Sequence, residues 1–504
     1  MAVLTRTGRP GRVPAWDGSL GPTVVRGRGV PQSVRTDLYV DGFFRPAHSG
    51  VTIDLVNPAT EQTIGTVPAS DEVDVDSAVQ AARSALPGWR SSAPGDRAAL
   101  LEAVADGYVR RGEEIGALVT EENGSPYWWT QQENVMLAAR IYRGGAVLAR
   151  TLATETINEV DGQRALACRE AIGVVGAIVP WNSPQVLLAL KVSAALAAGC
   201  TVVAKPSPET SLDAYVLAEI FGSAGVPRGV LNIVTGAGET GEALVRHDDV
   251  DKISFTGSTM AGRSIASICG SKLREVTAEL GGKSAALLLE DADLDLFGSL
   301  INTECIPYSG QVCFSCTRIL VPRTRCQEVL DLVVETLRHT PFGDPADPAT
   351  VIGPLVTSRQ RERVRNLIQS GLDEGASLAL GGTQPGAFPV GYYVAPTVFT
   401  DVLPSMRVFQ EEIFGPVLVV VPYENEDDAV RLHNDSSYGL SGMVFSRDVA
   451  RATNVARRLE TGQVLVNGHR GPPTAHAPYK NSGMGQGGVD RLADYLRHKS
   501  ISQP

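Results

Sequence analysis

The sequence predicts an α/β protein made of two doubly wound domains, each a parallel sheet covered by helices, on three observations. Its 504 residues exceed the roughly 250–300 at which a single hydrophobic core stops growing. From Ile172 onward, apolar runs of strand length alternate with helical stretches, the pattern of a parallel sheet with helices on its faces. A second set of the same kind follows Gly281. Hydrophobic residues at 43%, charged residues at 20%, and Gly 52 with Pro 31 describe a globular chain with a sizeable core and many tight turns.

Residues 1–36 are rich in Gly, Pro and Arg, carry Asp17 as their only acid and show no apolar periodicity, so a flexible extension is expected there. Pro10, Pro14, Pro22 and Pro31 interrupt any amphipathic organelle signal, and no secretory apolar segment is present. From Leu38 the pattern turns strand-like (LYVDGFF, then VTIDLVNPATEQTIGTVPA), and helices are expected over 73–89, 96–121 and 131–149. Strands follow over 172–179, 201–204, 231–234 and 252–255, with helices starting at Pro184, Ser211 and Ala261. The second set comprises strand 284–289, helices 326–339 and 358–374, strand 417–422, helix 427–434 and strand 463–467. The two domains meet near residues 270–285, and ligands of such sheets sit in the loops at the carboxyl ends of the strands.

A net charge of −11 without a concentrated basic face argues against a nucleic-acid surface. No apolar run reaches the roughly 18 residues of a membrane span. The most apolar stretch, residues 172–180, is interrupted by glycines and ends in PWN, as a buried strand would. Seven cysteines, an odd number spread along the chain, suit a reducing compartment, so a cytoplasmic location is expected. Cys313 and Cys316 form a CxxC, but no second CxxC or nearby His pair completes a metal site, and no metal is expected. A reversible disulfide between them would shut off a nucleophile at Cys313.

The candidate chemistry lies in loops. Cys313 ends the Gly-led turn GQVC, and Glu279 opens ELGGK. A thiol of this kind is a nucleophile where charge or backbone N–H groups stabilise its thiolate; taken alone, a free cysteine is more often a small buried hydrophobe. Asn182 in PWNSP follows the first strand of the alternation, where it serves either as an oxyanion donor or as a helix N-cap. Lys205 directly follows a strand in VVAKPSPET, placing its ammonium near cofactor oxygens or in solvent. FTGSTMAG is a strand, a turn and a helix start, in which Gly257, Ser258 and the helix N-terminus can receive a pyrophosphate. EEIFGPV sets Glu411 and Glu412 before a Gly-Pro turn.

In this order, and with NDSSYGLSG and KNSGMG after them, these segments resemble the landmarks of the aldehyde dehydrogenase superfamily, over about residues 38–501. The resemblance implies a dinucleotide-binding domain over 37–150 and 171–281 and a catalytic domain over 282–480. It also implies a small β oligomerisation segment of 151–170 and 481–504, in a homodimer or homotetramer. It casts Cys313 as nucleophile, Asn182 as oxyanion donor together with the Cys313 backbone N–H, Lys191 on a proton path and Glu279 as deacylating base. Trp181, Lys205, Ser207, Pro208, Glu209, Gly257, Ser258, Leu280, Glu412 and Phe414 would then surround NAD or NADP. The implied activity is NAD(P)-dependent oxidation of an aldehyde to the carboxylic acid through a thiohemiacetal and a thioester. Glu279 separates the chain from the CoA-acylating branch.

Three departures from the family pattern bear on specificity. NAD-preferring members often carry Glu where this chain has Pro208, its acid being Glu209, which keeps NADP open while NAD is favoured. Ser183 stands where Phe is frequent, and Ala475, His476, Ala477 and Pro478 replace the usual PFGG. With Ser183, Leu187, Leu190, Val312, Phe314 and His476 as wall residues, a wider or more polar substrate tunnel is expected, unless bulky side chains such as Leu187, Leu190, Phe314 or His469 refill it. Arg470 offers a partner for an ω-carboxylate, as in semialdehyde oxidation. The competing classes are a non-redox thioesterase and a catalytically idle binding protein.

Overall fold

The computed structural model describes residues 33–161, 163–383, 388–471, 474, 476–486 and 491–503. Most of the expected 1–36 extension and Ala475 lie outside the described residues. The end of that stretch is not flexible chain: Ser33–Val34 is a strand paired in parallel with Gly65 and Thr66.

Five parallel strands form the centre of the first large sheet, in the spatial order Glu275–Glu279, Lys252–Thr256, Val174–Ile178, Thr201–Lys205 and Leu231–Ile233. Antiparallel strands close its edges, Gly483–Met484 on one side and Asp37–Val40 with Phe43–Pro46 on the other. Alternate residues of one strand serve opposite faces, as a pleated sheet requires. Val175 and Ala177 join the core under the helices Pro94–Arg110, Ala138–Thr151 and Pro184–Ala198, while Val174 and Ile178 join the core on the other face with Val203, Ile253 and Phe255. Because both faces are covered, these strands read as unbroken apolar runs.

The chain then passes through residues 280–284 into a seven-stranded sheet, ordered Ser377–Leu380, Thr397–Thr400, Val417–Tyr423, Arg318–Pro322, Ala285–Leu288, Ser441–Phe445 and Gln463–Val466. All neighbours are parallel except the first pair. The same alternation holds, with Ala285 and Leu287 in one core and Ala286 and Leu288 in the other. A third, antiparallel sheet joins Glu155–Val160, Gln163–Ala171 and Leu496–Gln503. Gly483–Met484 belongs to the first sheet rather than to this one, so the expected 481–504 segment is divided between two sheets.

The helix Pro184–Ala198 begins with Pro in its first turn and stops at Gly199, whose φ of 90° no β-carbon-bearing residue adopts easily. The helix expected over 96–121 is two helices, Pro94–Arg110 and Gly112–Asn123, because Arg111 leaves helical geometry at φ −104°, ψ 18°. The one expected over 131–149 starts with the π-helical turn Gln131–Leu137 before Ala138–Thr151. Strands Glu275–Glu279, Arg318–Pro322, Thr397–Thr400 and Ser441–Phe445 escape the sequence pattern, since charged or polar residues leave each with only a short apolar signal.

Candidate active site

The strand order reverses between Val174–Ile178 and Lys252–Thr256: the chain moves from the former to Thr201–Lys205 on one side and returns to the latter on the other. A crevice opens at the carboxyl ends of two such strands. The PWNSP and FTGST loops leave the sheet there. Ser183, not Asn182, occupies the N-cap position of helix Pro184–Ala198. The buried Asn182 side chain crosses instead to the thiol turn and donates from Nδ2 to the Gln311 carbonyl at 3.0 Å, which disposes of its capping role. On the same helix Lys191 is fully buried and donates to Ser254 Oγ at 3.3 Å, and the Tyr495 hydroxyl reaches the same oxygen at 3.1 Å.

The thiol turn is built on strained backbone. Tyr308, Ser309 and Gly310 have φ of 45°, 57° and 72° in succession. The left-handed conformation costs a non-glycine residue about 1–2 kcal/mol. Tertiary bonds hold it: the Tyr308 hydroxyl donates to the Asn123 carbonyl, and Ser309 Oγ donates to Gly353 O at 2.9 Å while accepting from Gly353 N at 3.0 Å. Gln311 Oε1 accepts from Val356 N at 3.0 Å. None of Tyr308, Ser309, Gln311 or Asn123 carries a sequence signal for this role.

ELGGK meets the turn from the other side. A Cβ on Gly282 would collide with the Cys313 carbonyl oxygen, and one on Gly281 would sit 2.5 Å from Glu412 Oε2. Gly282 N donates to Glu412 Oε1 at 3.0 Å. Two glycines therefore bring Cys313, Glu412 and the end of the Glu279 strand into one place. Burial pushes the Cys313 thiol up to about 12, with the carboxylates of Glu412 and Glu279 adding to the shift. Burial likewise raises Glu412 to about 6, against the pull of the Gly282 N–H. The thiol is thus a proton-bearing group at neutral pH, partly open to solvent, and needs a base before it can attack.

The residues expected around a dinucleotide lie in the loops at the carboxyl ends of these strands and beside the ELGGK segment. Lys205 is buried rather than solvated, donating to Pro206 O at 2.8 Å and Gly236 O at 2.6 Å; burial lowers it to about 8 against the opposing charges of Glu209 and Glu239. Ser207 donates its hydroxyl to Glu209, beside the half-buried Pro208. Ser258 caps helix Thr259–Ser271 by accepting from Ala261 N at 3.3 Å, which leaves its hydroxyl hydrogen for another partner. Gly257 lies under the Phe255 ring, where a Cβ would clash, and Leu280 fills the space beside Gly262. The Trp181 ring stands edge-on to Phe414 at 5.4 Å, and Phe414 itself has φ 59°, its carbonyl held by Gln360 Nε2 at 2.8 Å. Thr256 Oγ1, next to Gly257, is buried with no hydrogen-bond partner among the described residues, as a polar ligand at this loop would require.

On the other side of the thiol, Trp129, Tyr308 and Val312 form an apolar cluster with Trp128, Trp181 and Phe314 packed against it. Phe314, one of the bulky residues expected near the thiol, belongs to this cluster. Leu187 and Leu190 pack on the helical core of the first sheet instead of on this cluster. Ser183 is buried, and His476 is held by its own loop, with Nδ1 3.4 Å from Thr474 O. Arg470 is already occupied: its Nη2 lies 2.9 and 2.8 Å from the two carboxylate oxygens of the buried Glu304, and its guanidinium covers the Phe314 ring at 5.3 Å. Cys316 sits in the core of the second sheet with Cys305 and Phe297, and every cysteine is a free thiol.

Two measurements test this geometry. Alkylation of Cys313 by iodoacetamide, followed by peptide mass mapping of the cofactor-free protein, is expected to rise through pH 10 without a plateau, because a raised thiol yields less thiolate at every lower pH. An ordinary cysteine levels off not far above its pKa of about 8.5, and such a profile at Cys313 would contradict the burial argument. Gly282→Ala is expected to cost about 1–3 kcal/mol in urea unfolding, because the added methyl meets backbone rather than a movable side chain. Wild-type stability in that variant would place the two segments farther apart.

Comparison with known proteins gives a consistent answer. The model of the aldehyde dehydrogenase family matches residues 44–501. The chain is 43% identical over 471 residues to a geranial dehydrogenase of Castellaniella defragrans, covering 92% of this chain and 98% of that one. It superposes on a Mycobacterium tuberculosis aldehyde dehydrogenase complexed with NAD+ with a TM-score of 0.91 at 38% identity, covering 94% and 99% of the two chains. A Pseudomonas syringae aldehyde dehydrogenase mutant in complex with NAD+ and octanal gives 0.90 at 38% identity, covering 94% and 97%. Among the described residues no helix is long and apolar enough to cross a membrane. With two doubly wound sheets and a thiol at their junction, the chain is an enzyme of the aldehyde dehydrogenase family.

Proposed function

We propose that the enzyme oxidises an apolar aldehyde to its carboxylic acid with NAD, using Cys313 as nucleophile. The observation that carries this reading is the approach of Cys313, Glu412 and the Glu279 strand at Gly281 and Gly282, with Asn182 reaching the same thiol turn at Gln311. Cys313, partly open to solvent, gives up its proton to water, and its Sγ bonds to the carbonyl carbon. The resulting oxyanion accepts from the Cys313 N–H and from the second hydrogen of the Asn182 amide, the first being used on Gln311 O. A bound nicotinamide supplies the acceptor for the hydride lost from that carbon, which leaves a thioester on Cys313. Glu279 then takes a proton from water, the hydroxide adds to the thioester, and the C–S bond breaks to release the acid and restore the thiolate. Lys191, Ser254 and Tyr495 form a buried polar chain suited to carrying protons away. Trp181, Leu280, Glu412 and Phe414 hold the nicotinamide end, and Lys205, Ser207, Gly257 and Ser258 the adenosine and phosphate end.

Glu209 supports NAD over NADP. Its carboxylate, held by Ser207 beside Lys205, replaces the acid missing at Pro208 and repels a 2′-phosphate. The aromatic cluster at the thiol and the commitment of Arg470 to Glu304 favour an uncharged, apolar aldehyde over one with an ω-carboxylate. The geranial dehydrogenase and the octanal complex support this choice, although a 3-succinoylsemialdehyde-pyridine dehydrogenase at 39% identity is also a relative. The exposed Ile157 and Ile501 on the third sheet suit contact with a second subunit, and the free thiols suit a reducing compartment.

The decisive assay is reduced-nicotinamide formation with octanal, geranial and succinic semialdehyde. Turnover is expected with the first two, at least roughly tenfold better in kcat/KM than with the third, and none with Cys313→Ala. Better turnover of the semialdehyde would return Arg470 to the substrate site. Glu279→Gln is expected to show a burst of reduced cofactor followed by slow turnover; steady-state rates equal to wild type would remove it as the deacylating base. Glu209→Gln is expected to raise the NADP to NAD ratio of kcat/KM by roughly tenfold, and an unmoved ratio would assign cofactor choice elsewhere.

A further inference from the structure

Where ELGGK enters the second sheet, a small cavity has room for a single water-sized species. Lys283, Ser284, Arg318, His433 and Thr461 line it, each between 1 and 7% exposed. On all five, a side-chain polar atom is buried with no hydrogen-bond partner among the described residues: Lys283 Nζ, Ser284 Oγ, Arg318 Nε, His433 Nε2 and Thr461 Oγ1. Buried polar atoms are seldom left unsatisfied, and a group of them around one cavity points to a bound species.

The donor set decides its charge. Arg318 is a cation, Lys283 carries N–H donors in either protonation state, and Ser284 and Thr461 carry hydroxyl hydrogens. His433 presents a lone pair: its Nδ1 faces Asn434 Oδ1 at 3.3 Å, an oxygen identified as acceptor by its bond from Glu460 N at 2.9 Å. Four donors therefore face one acceptor, and the hydrogens of Lys283 suffice for His433 as well as a ligand.

The balance of charge points the same way. Three of the four remaining guanidinium hydrogens of Arg318 go to the backbone carbonyls of Leu432, His433 and Asp435, and among the described residues no carboxylate forms an ion pair with Arg318 or Lys283. The acid on the cavity lining, Glu460, pairs with Lys480 at 2.7 Å. Glu411 is bound to Arg407, and Glu412 to Gly282 N. Burial, with Arg318 beside it, lowers Lys283 to about 7, and Asp435 alone among the carboxylates acts on Arg318, so a bound anion would favour the charged form of Lys283.

We propose that this cavity is a binding site for one halide ion, chloride in physiological solution, held by Lys283, Arg318, Ser284 and Thr461. A water-sized space excludes phosphate, sulfate and carboxylate ligands, and the donors disfavour a cation. Because Lys283 follows Gly282, the ion anchors the backbone that passes between Cys313 and Glu412.

The test uses the wild-type protein crystallised with bromide in place of chloride, together with melting temperatures in chloride, bromide and gluconate at constant ionic strength. The expected result is an anomalous bromide peak within hydrogen-bond distance of Lys283 Nζ. Melting should rise by a few degrees in either halide over gluconate, and the rise should be lost in Lys283→Met and reduced in Thr461→Val. A water-like peak without anomalous signal would overturn the proposal. So would a bromide peak with no halide-dependent melting, which marks an adventitious ion only. Should Lys283→Met fail to fold, an undiminished halide response in Thr461→Val, or the absence of the peak in wild type, refutes it equally.

Discussion

Where the chain leaves the first sheet it has to pass between a thiol-bearing turn and a carboxylate, and it does so only because residues 281 and 282 have no side chains. A Cβ at either position would strike the Cys313 carbonyl or the Glu412 carboxylate. That close passage lets one backbone N–H bind Glu412 and leaves the charge of Glu279, at the end of its strand, to act on Cys313. The two sheets are joined at the same point, so the link between them and the candidate site are one segment.

Around this segment the protein accumulates costs that only a rigid scaffold sustains. Tyr308, Ser309 and Phe414 hold backbone conformations that favour glycine, and each is fixed by hydrogen bonds from distant parts of the chain. Cys313, Glu412 and Lys205 are all moved by burial toward their neutral forms. Such shifts concentrate where groups must change charge during a reaction. Charge balance in the site is therefore set by packing as much as by the residues themselves, and ligand binding is positioned to alter it.

Much of this was legible before folding. The alternation of apolar runs and helical stretches marks strands such as Thr201–Lys205 because both faces of the sheet are covered. The loops PWNSP, FTGST, ELGGK and GQVC stand out because Gly, Pro and polar residues break those runs. What escaped was structure whose cause is remote. Arg318 disguises a central strand, since its charge is absorbed by the carbonyls of residues 432, 433 and 435. Arg111 divides a helix whose periodicity continues across it, and Arg470, a plausible carboxylate ligand on paper, is taken by Glu304.

Residue order and type alone determined that this chain forms two helix-covered parallel sheets, that its candidate chemistry lies at their strand ends, and which family it resembles. These follow from local periodicity, turn chemistry and motif order, which are properties of short stretches. Only the tertiary structure decided that Asn182 reaches the thiol turn instead of capping its helix, and that Trp129 and Tyr308 pack in one aromatic cluster with Val312. It alone showed that Cys316 belongs to a core with Cys305. Those outcomes depend on contacts between segments far apart in the chain, where packing and burial select among partners that are equivalent in sequence.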